Sequence, residues 1–71
     1  MANKRKEHGI DGKHVAEWRT RNRISQRSMA KLLGIDHTYL GKIEAGTCYG
    51  TIDILMKLHE VTGASYEYLL K

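Results

Sequence analysis

A chain of 71 residues accommodates one small domain and leaves no room for a second core. With 41% hydrophobic and 28% charged residues, the composition is that of a globular protein rather than a disordered one. No apolar run approaches the roughly 18 residues of a membrane span, the first residues lack the apolar centre of a signal peptide, and a single cysteine, Cys48, excludes an internal disulfide. A cytoplasmic protein held together by packing is therefore expected. The net charge of +4 is unevenly placed: residues 1–31 carry nine bases against three acids, and residues 32–71 three against five. A polyanionic partner fits the first half of the chain and not the second.

In chain order, residues 1–9 are polar, basic (Lys4, Arg5, Lys6) and aperiodic, and are expected to form a flexible arm preceding a domain over 10–71. Helix-start residues then recur at short intervals: Asp11, Ser25, Asp36, Thr51 and Ser65 each stand before an apolar-periodic stretch. Their side-chain oxygens can accept from N–H groups of the first turn that otherwise lack a partner. Three starts also carry an apolar pair that straddles the cap, Ile10 with Val15, Ile24 with Met29 and Ile35 with Leu40. Stop signals fit the same frame at Asn22, Gly34, Gly46 and Gly63, residue types that tolerate the left-handed conformation ending many helices. The spacing predicts helices over 12–21, 26–33, 37–45, 52–62 and 66–70, and no strand.

The apolar positions fall on consistent helical faces. Val15 and Trp18 share a face with Arg19, Met29, Ala30 and Leu33 form the second stripe, and Leu40 and Ile43 the third. On the fourth helix the stripe is read as Leu55, Leu58 and Thr62, with Ile54 and Val61 beside it, and the last helix offers Tyr68, Leu69 and Leu70. Such a core is modest, so stability is expected to be marginal.

The most informative stretch runs from Gln26 to Gly46. Two short helices meet at a turn centred on Gly34, a small residue (Ala30) lies four positions before it, and Leu40 and Ile43 lie six and nine positions after it. Helices that cross steeply after a tight turn need a left-handed residue in the turn, a small side chain where they nearly touch, and apolar residues on the buried side of the second helix. The other side of that second helix then stays free. Together with Arg19, Ile24-Ser25-Gln26, Ile35, Ile43-Glu44 and the ending Ser65-Tyr66-Glu67-Tyr68-Leu69-Leu70, the stretch resembles the helix-turn-helix of the phage-repressor and Cro type, the XRE family, over about residues 13–70.

The resemblance implies an all-α, compact five-helix, lambda-repressor-like DNA-binding domain that binds double-stranded DNA in a sequence-specific way, usually as a homodimer. It implies a transcriptional regulator, most simply a repressor. The exposed front of the third helix then holds the base-contacting positions His37, Thr38 and Lys42. Lys42 can donate to guanine O6 and N7, Thr38 can bond a base edge or touch a thymine methyl, and His37 can donate or accept. Tyr39 is grouped with them, to stack on a sugar, reach a phosphate or pack at the rim. Gln26, Arg27, Lys31 and Thr47 become the phosphate-contacting set, and Arg19 and Glu44 a partly buried salt bridge between the first and third helices. The last helix (Tyr66, Leu69, Leu70) and the loop before it are the expected dimer surface, with closure of the monomer's own core as the competing role.

Three departures from the family pattern stand out. Gly41 lies inside the third helix, Thr62 replaces a larger apolar residue, and His59 replaces a small one, so looser packing of the fourth helix is expected. The four histidines and Cys48 lack zinc-ligand spacing, and no phosphate-binding glycine motif or acid pair appears, so no metal, cofactor or enzymatic activity is expected. The alternative to a regulator is a protein-interaction module of the antitoxin type, with a protein partner in place of DNA.

Overall fold

The computed structural model describes residues 9–71, so the expected basic arm falls, apart from Gly9, outside the described residues. Among those residues the secondary structure is five helices: α1 (Gly12–Arg21), α2 (Gln26–Leu33), α3 (His37–Ala45), α4 (Ile52–Thr62) and α5 (Tyr66–Leu69). Each begins at the residue the sequence marks. Asp11 accepts from the N–H groups of Lys13 and His14, Ser25 from Ser28, Asp36 from Thr38, Thr51 from Ile54 and Ser65 from Tyr68. Residues that satisfy the orphan donors of a first turn thus set every boundary on the N-terminal side.

The C-terminal ends are less uniform. Gly34, Gly46 and Gly63 are left-handed, with φ of 74°, 85° and 74°. Asn22 is not: its φ is −93°, and its side-chain amide donates to the Trp18 carbonyl at 2.8 Å. The left-handed residue after α1 is Arg23, with φ of 58°. The bond to Trp18 holds Asn22 near the helical region, so the reversal passes one residue on. The fifth helix ends at Leu69, because Leu70 is extended and bridges antiparallel to Ile10.

That bridge brings the two ends of the domain together. The Ile10 N–H donates to the Tyr49 carbonyl at 3.0 Å, Asp11 to Leu69 at 2.7 Å, and Lys71 to Gly9 at 3.1 Å. The His14 and Tyr68 rings stack 4.2 Å apart, and His14 Nδ1 donates to the Tyr68 carbonyl at 2.6 Å. α1 is thereby fastened to α5.

The core is one cluster drawn from all five helices and the lead-in residue Ile10: Val15 from α1, Met29, Ala30 and Leu33 from α2, Leu40 and Ile43 from α3, Ile54 and Leu58 from α4, and Leu69 from α5. On α4 the buried positions are one turn apart at Ile54 and Leu58, rather than the expected Leu55, Leu58 and Thr62. Leu55 is half-buried against the edge of the core, where it faces Ile10, Tyr49 and Leu70. Thr62 and His59 take part in the reversal after α4. The Thr62 hydroxyl donates to Leu58 and accepts from the Ala64 N–H, while His59 Nδ1 donates to the Ala64 carbonyl and its ring stacks on Tyr66. The two departures from the family pattern tie down the α4–α5 turn.

Two glycines separate what the fold requires from what it tolerates. Gly12 is buried where α1 crosses α3: a Cβ there would lie 2.8 Å from Glu44 Cα and closer still to the Ile43 carbonyl oxygen. Gly41 has ordinary helical backbone, and a Cβ would meet only the Gln26 amide, at 3.7 Å. In urea unfolding followed by helical circular dichroism, Gly12→Ala should lose about 1–3 kcal/mol by overpacking. Gly41→Ala should gain roughly 0.5–1 kcal/mol from helix propensity.

Candidate nucleic-acid interface

The turn between α2 and α3 is built from backbone bonds at a left-handed glycine. The Gly34 N–H reaches the Ala30 and Lys31 carbonyls, and the Ile35 N–H reaches Ala30 at 3.0 Å. Ala30 is almost wholly buried, and Leu40 and Ile43 are fully buried. A small residue on α2 and an apolar side on α3 therefore fix how α3 lies, and its polar side turns away from the core. Thr38 and Lys42 are exposed there, with His37 and Gly41 half-buried beside them. Tyr39 is half-buried and packs against the core cluster at the rim of this side.

The α3 orientation is held from behind by a charged network. Arg19 Nε donates to Glu44 Oε2 at 2.8 Å and its Nη2 donates to Glu44 Oε1 at 3.0 Å, a two-pronged pair. A third donor, Nη1, reaches the Ile24 carbonyl at 2.9 Å. The side chains are 15% and 7% exposed, so solvent screens the pair little. Hydrogen bonds to Glu44 hold the Arg19 guanidinium above its already high ordinary range, against the opposing effect of burial. Glu44 Oε1 also accepts from the Gln26 side-chain amide at 2.9 Å. One carboxylate thus joins α1, α2 and α3.

Gln26 therefore turns its amide inward, half-buried at the start of α2, while Arg27 and Lys31 stand exposed one turn apart on the same helix. Nothing in the local sequence distinguishes Gln26 from a purely outward-facing residue. The signal is the long-range pairing with Glu44, eighteen positions away. Beyond α3, the Thr47 hydroxyl and N–H both donate to the Lys42 carbonyl, at 3.1 and 2.9 Å, which latches the following loop to the end of the helix. The Asp36 carboxylate, capping α3, accepts from the Thr38 N–H at 2.9 Å, and that bond holds its pKa below the ordinary carboxylate value.

A short helix, a glycine turn and a second helix with its polar side free make a helix-turn-helix. The helix-turn-helix family model matches residues 15–69, and the chain belongs to that family. Over 60 residues it is 37% identical to the SPbeta prophage-derived uncharacterized HTH-type transcriptional regulator YonR of Bacillus subtilis (strain 168). That match covers 84% of this chain and 56% of YonR, so the chain spans little more than half the length of that relative. Its fold is similar to the crystal structure of the restriction-modification controller protein C.AhdI from Aeromonas hydrophila. The TM-score is 0.75 and the identity 29%, over 83% of this chain and 89% of the other.

Removing one partner of a pair this buried leaves the other charge uncompensated. Glu44→Ala should lower the unfolding free energy by about 3–5 kcal/mol in urea titrations. The double replacement Arg19→Met, Glu44→Leu should recover most of that loss, because it removes both charges and fills the volume.

Proposed function

We propose that this chain is a sequence-specific regulator of transcription that inserts α3 into the major groove of double-stranded DNA. The observation that carries this reading is the uncovered polar side of α3. Thr38 and Lys42 are exposed, and neither side chain has a hydrogen-bond or ion-pair partner among the described residues. Both are chemically suited to base edges. The family, and the regulator and controller proteins this chain is similar to, support the same reading. Arg27, Lys31, Thr47 and the N-terminus of α2 at Gln26 supply backbone contacts that position the protein without reading sequence. Repression by occlusion is the simplest output.

Binding as a homodimer would place two α3 helices about 34 Å apart, in successive major grooves. The expected dimer surface needs revision. Leu69 is fully buried in the monomer's own core, and the backbone of Leu70 is bridged to Ile10, which leaves its side chain half-buried at the domain's edge. Tyr66 remains exposed and stacks on His59, which shares one face of α4 with Ile52 and Met56. Ile52 is 68% exposed and Met56 50%, and this apolar strip is the dimer surface in our reading. The same strip also favours the second reading, an antitoxin-type module that binds another protein.

Gel shifts with duplex DNA across a salt series separate the two readings. A DNA-binding regulator loses affinity steeply as salt rises, because each phosphate contact releases a counterion. Absent or salt-insensitive binding favours the protein-interaction module. With sites selected from a random oligonucleotide pool, Lys42→Ala should reduce discrimination between sequences by about 1–3 kcal/mol. Arg27→Ala should weaken binding to all sequences alike.

A further inference from the structure

Between α2 and the start of α3 lies an open notch of about 330 Å³, lined by Arg27, Ser28 and Lys31 on one wall and Asp36 and His37 on the other. Arg27 and Lys31 sit one turn apart, a spacing at which like charges repel and weaken a helix. Among the described residues neither has an ion-pair or hydrogen-bond partner, and neither does the His37 ring. The one acid lining the notch, Asp36, is occupied as the cap of α3 through the Thr38 N–H. The fold thus tolerates two adjacent cations that do nothing for it internally. It also places beside them an imidazole, the side chain whose charge ordinarily changes between about pH 5 and 8.

We propose that this notch seats a backbone phosphodiester of DNA, and that protonated His37 is its third cation, so that DNA is bound more tightly as pH falls. The inference rests on the DNA-binding reading above and adds to it a regulation of the same surface. With His37 neutral, Arg27 and Lys31 against Asp36 leave the notch a single net positive charge, and protonation doubles it. Asp36, fixed on the wall beside His37, keeps the imidazolium from facing only like charges. His37 differs in this from Thr38 and Lys42. It stands half-buried at the border between base-reading helix and backbone-facing notch, so its charge acts on affinity for any sequence.

The test is fluorescence anisotropy with a labelled duplex of random sequence, which reports backbone contacts rather than base reading. It is run at fixed ionic strength between about pH 7.5 and about pH 5.5. The wild-type chain should bind about two- to fivefold more tightly at the lower pH than His37→Gln does, after both are normalised at the higher pH. His37→Lys, with a permanent charge, should bind tightly at both pH values and lack this component of the pH response. The other histidines are common to all three proteins and cancel. Equal pH responses in wild type and His37→Gln would overturn the proposal while leaving DNA binding intact. No duplex binding by the wild type at either pH would overturn the DNA-binding reading itself.

Discussion

Three helices converge on one carboxylate. Glu44 takes two donors from Arg19 on α1 and one from Gln26 on α2 while sitting on α3, the helix that faces outward. Arg19 extends the same network to the Ile24 carbonyl in the α1–α2 connection. Apolar packing is non-directional and leaves the roll of the nine-residue α3 less sharply defined. An ion pair with two parallel hydrogen bonds defines it, because the guanidinium and carboxylate planes allow little rotation. The buried residues Leu40 and Ile43 press α3 into place. The Glu44 network, on the adjacent flank, sets which of the remaining positions look out.

The close approach that this network requires explains Gly12. Only a residue without a side chain lets α1 pass so near the backbone at Ile43 and Glu44. Gly41, on α3 itself, has no comparable neighbour: a Cβ there would meet only the Gln26 amide, at ordinary contact distance. Around them the surface divides by chemistry. Free cations and hydroxyls lie on α2 and α3, while an apolar strip of Ile52 and Met56 on α4 leads to Tyr66.

Much of this was legible in the residues alone. Every helix start was, because capping is local chemistry: a side-chain oxygen and an N–H two or three residues on. The turn of the helix-turn-helix was legible for the same reason, through Ala30, Gly34, Leu40 and Ile43. What local pattern could not reach was decided by tertiary contact. Arg23 rather than Asn22 takes the left-handed conformation, because the Asn22 amide finds the Trp18 carbonyl. Ile54 takes the buried position while Leu55 stays half-buried against the core's edge, because the segment around Ile10, Tyr49 and Leu70 offers Leu55 a second apolar wall. Leu69 enters the core and the Leu70 backbone pairs with Ile10, a closure that depends on hydrogen bonds between the two ends of the domain. At the interface, the exposure of Thr38 and Lys42 follows from helical periodicity, whereas the inward bond of Gln26 and the grouping of His37 with Arg27 and Lys31 depend on how two helices cross.

In the function proposed above, the outward side of α3, with the start of α2 and the Thr47 loop, is the surface that meets duplex DNA. Two-dimensional amide NMR of the chain during titration with duplex DNA tests this most directly. The largest shifts should map to residues 26–31, 37–42 and 47. Shifts concentrated on the α4 strip, with Thr38 and Lys42 unchanged, would contradict it.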